Sequence, residues 1–296
     1  MSKATLKNSK RLPLNASLIF VIGFFTTAPL SAHAQSPTIR SCYSVKGGAV
    51  RWDYCVYKPT QSKGQDVLYY LHGLEGSDTE WSELPHYDDV YQSWGANAPT
   101  VVTISYGGIW LLAEKNGSGY SGLYENFLNT ALPFIEKTNN LTPSRRLLVG
   151  LSMGGFNAAQ LYLKNPNLFA RVALLCPAIT TVGPYSSQTE INAYVARTHA
   201  LWTNVRNALE VSSTYFPNES AWENADPISL ASKQVNSTFP PLFVSGGLQD
   251  QYGFFEGAAY FASEVVSQGA QAIWDPVNGG HCSFDWQATA NFIVAH

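Results

Sequence analysis

From Ser41 onward the chain alternates between two patterns of apolar positions. Val67–Leu71 and Thr100–Ser105, with 147–150, 172–176, 241–245 and 271–274, are short runs rich in β-branched and aromatic residues, bounded by Gly or Pro. Near-continuous apolar runs of this length are the mark of strands buried on both faces, as in a parallel sheet. Between them lie amphipathic stretches. Leu123, Phe127, Ala131 and Ile135 recur at helical spacing, ahead of Asn139-Asn140 and Pro143. Met153–Lys164 reads as a helix that stops before Pro166, and Phe254–Ser267 as another. Strands alternating with helices predict an α/β chain with a doubly wound, mostly parallel sheet.

Two segments depart from this rhythm. Residues 179–239 are too long for a simple connection and follow the strand that ends at Cys176. They contain helix-like pieces, such as the stretch from Ile191 to Leu209, and carry Trp202, Tyr215, Phe216 and Trp222. A long insertion at strand ends either caps a site, with Trp202 and Trp222 as substrate-binding candidates, or seals itself onto the core through its aromatics. The other segment is the start. Lys3, Lys7, Lys10 and Arg11 precede an apolar stretch and then Ala32-His33-Ala34, the three-part plan of a removable signal peptide over 1–34. A membrane anchor is the rival, but the uninterrupted apolar core from Leu18 to Phe25 is far short of the ~20 residues a spanning helix needs. Residues 35–296 then form one domain, expected to be secreted or periplasmic, with no membrane span in the mature chain.

Charge and cysteine content narrow the partners. The formal net charge is −3, and loss of the four basic residues at the start makes it more negative. Without a basic run, nucleic acid is not expected as a partner. The chain has four cysteines. Cys42 and Cys55 flank a stretch with Gly47-Gly48 at its turn, so a hairpin bridge between them is favoured. Cys176, in an apolar strand, reads as a buried thiol; pairing with Cys282 is the open alternative. No Cys-x-x-Cys or His-rich spacing suggests a metal site.

The strongest motif is Gly150-Leu151-Ser152-Met153-Gly154-Gly155, placed between a strand and a helix. A bare G-x-S-x-G is often an ordinary turn. In strand–turn–helix context it is a nucleophile elbow, where a strained serine projects its hydroxyl and small flanking residues let the chains pass. A base must follow, and His199, His281 and His296 are the choices. His199 lies in the insertion and His296 is terminal, so His281, in the turn Asn278-Gly279-Gly280-His281, is preferred. Asp250 follows strand 241–245 by a short Gly-Gly-Leu-Gln turn and is the preferred acid, with Asp275 its main rival. An oxyanion needs donors, and the backbone amides of Leu74, after Leu71-His72-Gly73, and of Met153 are the candidates. His72 is then a loop-shaping residue.

Together these residues resemble the putative-esterase family of α/β-hydrolases, which includes esterase D, feruloyl and acetyl-xylan esterases, enterochelin esterases and mycolyltransferases. His72-Gly73 with Trp81, Tyr124-Glu125-Asn126-Phe127, the elbow 150–155, Asp226-Pro227, Gly247-Leu248-Gln249-Asp250 and Gly279-Gly280-His281 with Trp286 carry the resemblance. It departs at Cys282, where the family commonly has an acid, and in the long aromatic insertion. The resemblance implies the α/β-hydrolase fold and a triad of Ser152, Asp250 and His281. The expected activity is hydrolysis of small-molecule or polysaccharide-linked carboxylic esters through an acyl-enzyme, with no cofactor or metal. The alternatives are an acyltransferase of mycolyl type and a non-catalytic binding protein on the same scaffold.

Overall fold

A computed structural model describes residues 37–46, 50–115 and 120–296. The expected signal peptide and the Gly47-Gly48 turn lie outside the described residues. Eight strands form one sheet: β1 (Thr38–Val45), β2 (Trp52–Pro59), β3 (Val67–Leu71), β4 (Thr100–Ser105), β5 (Arg146–Leu151), β6 (Arg171–Leu175), β7 (Leu242–Gly247) and β8 (Ala272–Val277). Their order is β1-β2-β4-β3-β5-β6-β7-β8. β1 and β2 pair antiparallel, as do β2 and β4, and all later pairs are parallel. The expected doubly wound, mostly parallel α/β sheet is therefore present, with an antiparallel hairpin added at one edge.

The continuous apolar runs have a simple cause. In β3, Val67, Tyr69 and Leu71 join one core, while Leu68 and Tyr70 join the other. Both faces are covered, so no position on the strand is free to be polar. In the edge hairpin, Cys42 lies directly opposite Cys55, and the two form a disulfide. β6 stops one residue before its expected end because Cys176 turns into left-handed backbone, φ +40°.

The helices follow the pattern with two informative differences. Residues every fourth position drift about 40° per step around an ideal helix of ~100° per residue. Leu123, Phe127, Ala131 and Ile135 are nevertheless all buried. A π-helical turn over Phe127–Ala131, between Leu123–Asn126 and Leu132–Thr138, is wider per turn and absorbs the drift. The stretch from Ile191 to Leu209 is two helices, Gln188–Thr198 and Trp202–Tyr215, broken where His199 takes left-handed backbone at φ +56°. Two shorter helices, Glu219–Glu223 and Pro227–Gln234, complete the insertion. Among the described residues no helix is long and apolar enough to cross a membrane.

Helix Met153–Lys164 is buried along nearly its whole length and sits on the centre of the sheet. It fits only because its first turn is glycine. A Cβ on Gly154 would lie 2.0 Å from the Leu71 carbonyl oxygen, and one on Gly150 would lie 2.1 Å from the Gly154 oxygen. Backbone blocks both, so neither neighbour can swing aside. Gly154→Ala is therefore expected to destabilise the protein by about 3 kcal/mol, read as a lower urea midpoint at unchanged slope. A midpoint equal to the parent's would show that the helix can retreat from β3.

Candidate active site

Ser152 stands between β5 and helix Met153–Lys164 with φ +51° and ψ −110°. Such backbone is sparsely populated and persists only when its surroundings hold it. Here the Ser152 amide donates to the Leu175 carbonyl at 2.9 Å. The Ser152 carbonyl accepts from the amides of Phe156 at 3.1 Å and Ala178 at 2.9 Å. The hydroxyl is left facing His281, with Oγ 2.9 Å from Nε2.

His281 follows β8 in the glycine turn, where Gly279 has φ +142°. The loop after β7 holds that turn. Gln249 Oε1 accepts from the Gly279 amide at 2.6 Å, and Gln251 Oε1 accepts from the His281 amide at 3.0 Å. Between these two glutamines sits Asp250, which is buried. Its Oδ1 accepts from the Tyr252 amide at 2.7 Å, and its Oδ2 is 2.7 Å from His281 Nδ1. The carboxylate thus accepts from Nδ1–H and leaves Nε2 as the face toward Ser152. Asp275, the rival acid, instead accepts from Ser245 Oγ at 3.1 Å. Of the other histidines, His199 ends helix Gln188–Thr198, and His296 has its carbonyl beside Arg171 at 3.5 Å.

Tyr252 and Phe254 pack on the imidazole, with ring centroids at 4.8 and 5.4 Å. Burial disfavours the charged ring, but hydrogen bonds with Asp250 and Cys282 outweigh it and raise His281 to about 9. Cys282 is lowered to about 6, first by its hydrogen bond with Cys176 and then by His281. The ring and the thiol thus favour each other's charged form. Cys176 and Cys282 are both free thiols. With His281 they form a cluster of possible metal ligands whose atoms lie within 4.8 Å of one another. The ring nitrogens in that cluster are already engaged by Ser152 and Asp250.

The loop after β3 approaches from the other side. A Cβ on Gly73 would lie 3.7 Å from Ser152 Cβ. Around Leu74 the amides are committed: Gly73 donates to Glu80 Oε1 at 3.1 Å, Glu75 to the Gly108 carbonyl at 2.7 Å and Gly76 to the Gly73 carbonyl at 3.1 Å. The Met153 amide begins a helix, among the N–H groups that have no intrahelical acceptor. Both residues line the cavity above Ser152. His72 is fully buried beneath the loop. Trp110 Nε1, which can only donate, points at His72 Nε2 at 2.9 Å. The ring proton therefore sits on Nδ1 and is donated to the Gly73 carbonyl at 2.7 Å. Burial lowers the His72 pKa, in keeping with a neutral ring.

The cavity holds about 420 Å³ and is largely apolar, with Leu111, Phe156, Val211, Trp222 and Phe254 on its walls. Helix Trp202–Tyr215 of the insertion supplies one wall. Trp222 stacks on Phe156 at 6.0 Å and also lines a second, more polar cavity of about 670 Å³ with Arg197, Asp226 and Glu256. Trp202 departs from its expected place. It is 40% exposed, lies beneath the Arg206 guanidinium at 5.5 Å and is not among the cavity-lining residues. It opens its helix, and the lining residues Asn207, Ala208 and Val211 lie about one and a half to two and a half turns further along. Tyr215 and Phe216 are buried, and Tyr215 donates to the Ile109 carbonyl at 2.8 Å, so these two rings join the insertion to the core.

A family model described as Putative esterase matches residues 52–296. The chain belongs to the Putative esterase family. It is 24% identical over 250 residues to a diacylglycerol acyltransferase/mycolyltransferase Ag85C of Mycobacterium avium, covering 75% of this chain and 66% of that relative's length. Among solved structures, a ferulic acid esterase superposes with a TM-score of 0.61 at 22% identity, covering 86% of this chain and 93% of the other. An S-formylglutathione hydrolase from Agrobacterium tumefaciens gives 0.63 at 19% identity, covering 87% and 96%. These likenesses establish the α/β-hydrolase fold for this esterase-family chain.

Gln251, Glu80 and Trp110 were not singled out by the sequence, and Gln249 only as part of the turn before Asp250, because hydrogen bonds between distant loops leave no periodic trace. The Cys282–His281 contact makes a direct prediction. The His281 resonances should titrate above the ~6.5 of an unperturbed imidazole, and Cys282→Ser should move that midpoint down. An unmoved midpoint in NMR titrations of the two proteins would show that the thiol does not act on the ring.

Proposed function

We propose that this chain is a carboxylic ester hydrolase that works through an acyl-enzyme on Ser152. The observation that carries the reading is the line from Asp250 through His281 to the Ser152 hydroxyl, at 2.7 and 2.9 Å, with the serine on strained backbone at a helix N-terminus. Neutral His281 takes the serine proton as Oγ attacks the ester carbonyl. The amides of Leu74 and Met153 donate to the developing oxyanion, and the helix N-terminus adds partial positive charge. The imidazolium, steadied by Asp250, protonates the departing alcohol, and water repeats the cycle to release the acid. The apolar cavity suits an acyl chain or aromatic acid, and the polar cavity beyond Trp222 suits a hydroxylated alcohol portion. Secretion, by removal of 1–34, is the companion inference; the Cys42–Cys55 disulfide supports it.

A second reading, acyl transfer to a sugar hydroxyl, is favoured by the polar cavity and by the name of the mycobacterial relative. Incubating a bound acyl-enzyme with trehalose or another polyol separates the two: free acid marks a hydrolase and acylated sugar a transferase. A non-catalytic binding protein would leave Ser152 unlabelled by a fluorophosphonate.

Ser152→Ala should keep its fold and lose roughly 10⁴-fold or more in kcat across a panel of acetyl, feruloyl and longer acyl esters. Hydrolysis within tenfold of the parent removes Ser152 from the reaction. Asp250→Asn should lose a comparable factor and Asp275→Asn little; the reverse order, in two folded variants, moves the acid to Asp275.

The base must be unprotonated, and with its thiols reduced the protein holds His281 near 9. Its kcat/KM should therefore fall as pH drops below that value. A plateau extending down to pH 6 would show that Asp250 and Cys282 do not hold the working ring above its ordinary value.

A further inference from the structure

Two thiols lie against His281 that ester hydrolysis does not use. Cys282 follows His281 directly and lines the cavity above Ser152, whereas Cys176 is buried at the end of β6. Their sulfurs and a His281 nitrogen lie within 4.8 Å of one another. Both cysteines hold left-handed backbone, with φ of +40° and +60°, a conformation that is uncommon for such residues and clusters at functional sites. Each is fixed where it stands. The Cys176 amide donates to the Ser245 carbonyl at 2.7 Å, and the turn at Cys282 is closed by the Ser283 amide on the Gly280 carbonyl at 3.1 Å. The same chain already carries a disulfide at Cys42–Cys55.

We propose that Cys282 and Cys176 are an attacking and a resolving thiol, which a low-molecular-weight disulfide converts into an internal Cys176–Cys282 bridge, and that the bridged protein is the more active hydrolase. The activity half rests on the reading of Ser152, His281 and Asp250 given above; the bridging half does not.

In the first step the Cys282 thiolate attacks one sulfur of the small disulfide. A bond forms between Cys282 Sγ and that sulfur, the disulfide's own S–S bond breaks, and one thiolate leaves. In the second step Cys176 attacks Cys282 Sγ and its proton passes to the departing small thiolate. The internal bond forms and the second small thiolate is expelled. The two cysteines are oxidised and the one small disulfide is reduced to two thiols. The order follows from access, since only Cys282 faces the cavity. It agrees with the acidity of the pair: Cys282 is lowered to about 6, and burial pushes Cys176 up.

The consequence for the ester site is electrostatic and mechanical. Ser152, Asp250 and Tyr252 face the imidazole, with Cys282 and Cys176 beside it and Glu75 on the cavity wall. Of these groups, bridging alters only the thiols. It removes the Cys282 hydrogen bond that raises His281, and it ties the turn carrying His281 to the end of β6, whose Leu175 carbonyl seats Ser152.

The bridge is tested first in Ser152→Ala, where turnover plays no part. After glutathione disulfide and alkylation, non-reducing peptide mapping should find Cys176 joined to Cys282 beside the Cys42–Cys55 pair. Adding Cys176→Ser should arrest the reaction with glutathione on Cys282, and adding Cys282→Ser should leave Cys176 unmodified. No internal bridge, or glutathione on Cys176 when Cys282 is absent, overturns the assignment. In the protein with Ser152 intact, bridging should raise kcat/KM near pH 7 on the order of tenfold, and dithiothreitol should reverse it. Neither single Cys→Ser variant should respond. Unchanged or lower turnover in the bridged protein overturns the activity half. So does a response that persists in both variants, since it would come from Cys42–Cys55. Failure of every form to hydrolyse esters or to label with fluorophosphonate rejects the Ser152 reading and the activity half together, while the peptide map still decides the bridge.

Discussion

The contact between Gly154 and the Leu71 carbonyl, too close for any Cβ, sets the distance on which the rest of the site depends. β3 and β5 are parallel neighbours, so the loop leaving one and the turn leaving the other emerge side by side. Helix Met153–Lys164 presses its first turn onto the end of β3 and draws the two closer still. It brings Gly73 against Ser152, and Leu74 and Met153 line one cavity. The glycines of the elbow are thus required by packing between chains as much as by the turn itself.

The other half of the site is held by a different device. The loops after β7 and β8 are glycine-rich and would be mobile alone. They stiffen one another. Gln249 and Gln251 receive the amides of Gly279 and His281, and the Gln249 amide returns to the Gly279 carbonyl at 2.8 Å. Asp250 lies between its two clamps, so the backbone that aims the carboxylate is the same backbone that fixes the ring. The loop bearing Leu74 is locked in the same manner by His72 and Glu80. Ser152, His281 and the Leu74 amide each come from a turn that would wander without a partner turn.

Much of this was legible in the chain because it obeys local rules. β3, β4 and the helices Met153–Lys164 and Phe254–Ser267 end where Gly, Pro or a polar break says they should. The elbow and the Gly-Gly-His turn carry their chemistry in a few adjacent letters. What was not legible is non-local. Nothing near Gln251 announces a partner at His281, and nothing in Trp110 announces a histidine beneath the loop at Gly73. The helix break at His199 escaped because apolar spacing continues on both sides of it. Trp202 looked like Trp222 in the sequence, yet one tops a helix in solvent and the other stacks on Phe156 inside the cavity. Composition records that an aromatic is present; only the crossing of elements says which way it faces.

The aromatic partition at Trp222 shows how the insertion contributes more than cover. Its ring has Phe156 of the sheet-bound helix on one side and a chamber lined by Arg197, Asp226 and Glu256 on the other. Gly183 admits it, since a Cβ there would lie 2.3 Å from the indole nitrogen. Arg197 and Glu256 are paired at 2.7 Å, and Asp226 caps helix Pro227–Gln234 through the Ser229 amide at 3.0 Å. The polar chamber is therefore built from groups already engaged with one another. Hydroxyl groups exchange hydrogen bonds with such pairs at little electrostatic cost, whereas an apolar chain entering there would strip them of water and return nothing. On the Ser152 side the walls are Leu111, Phe156, Val211 and Phe254, for which the opposite holds. One tryptophan thus stands between two cavities of opposite solvation character, and which groups each can take follows from which walls tolerate losing water.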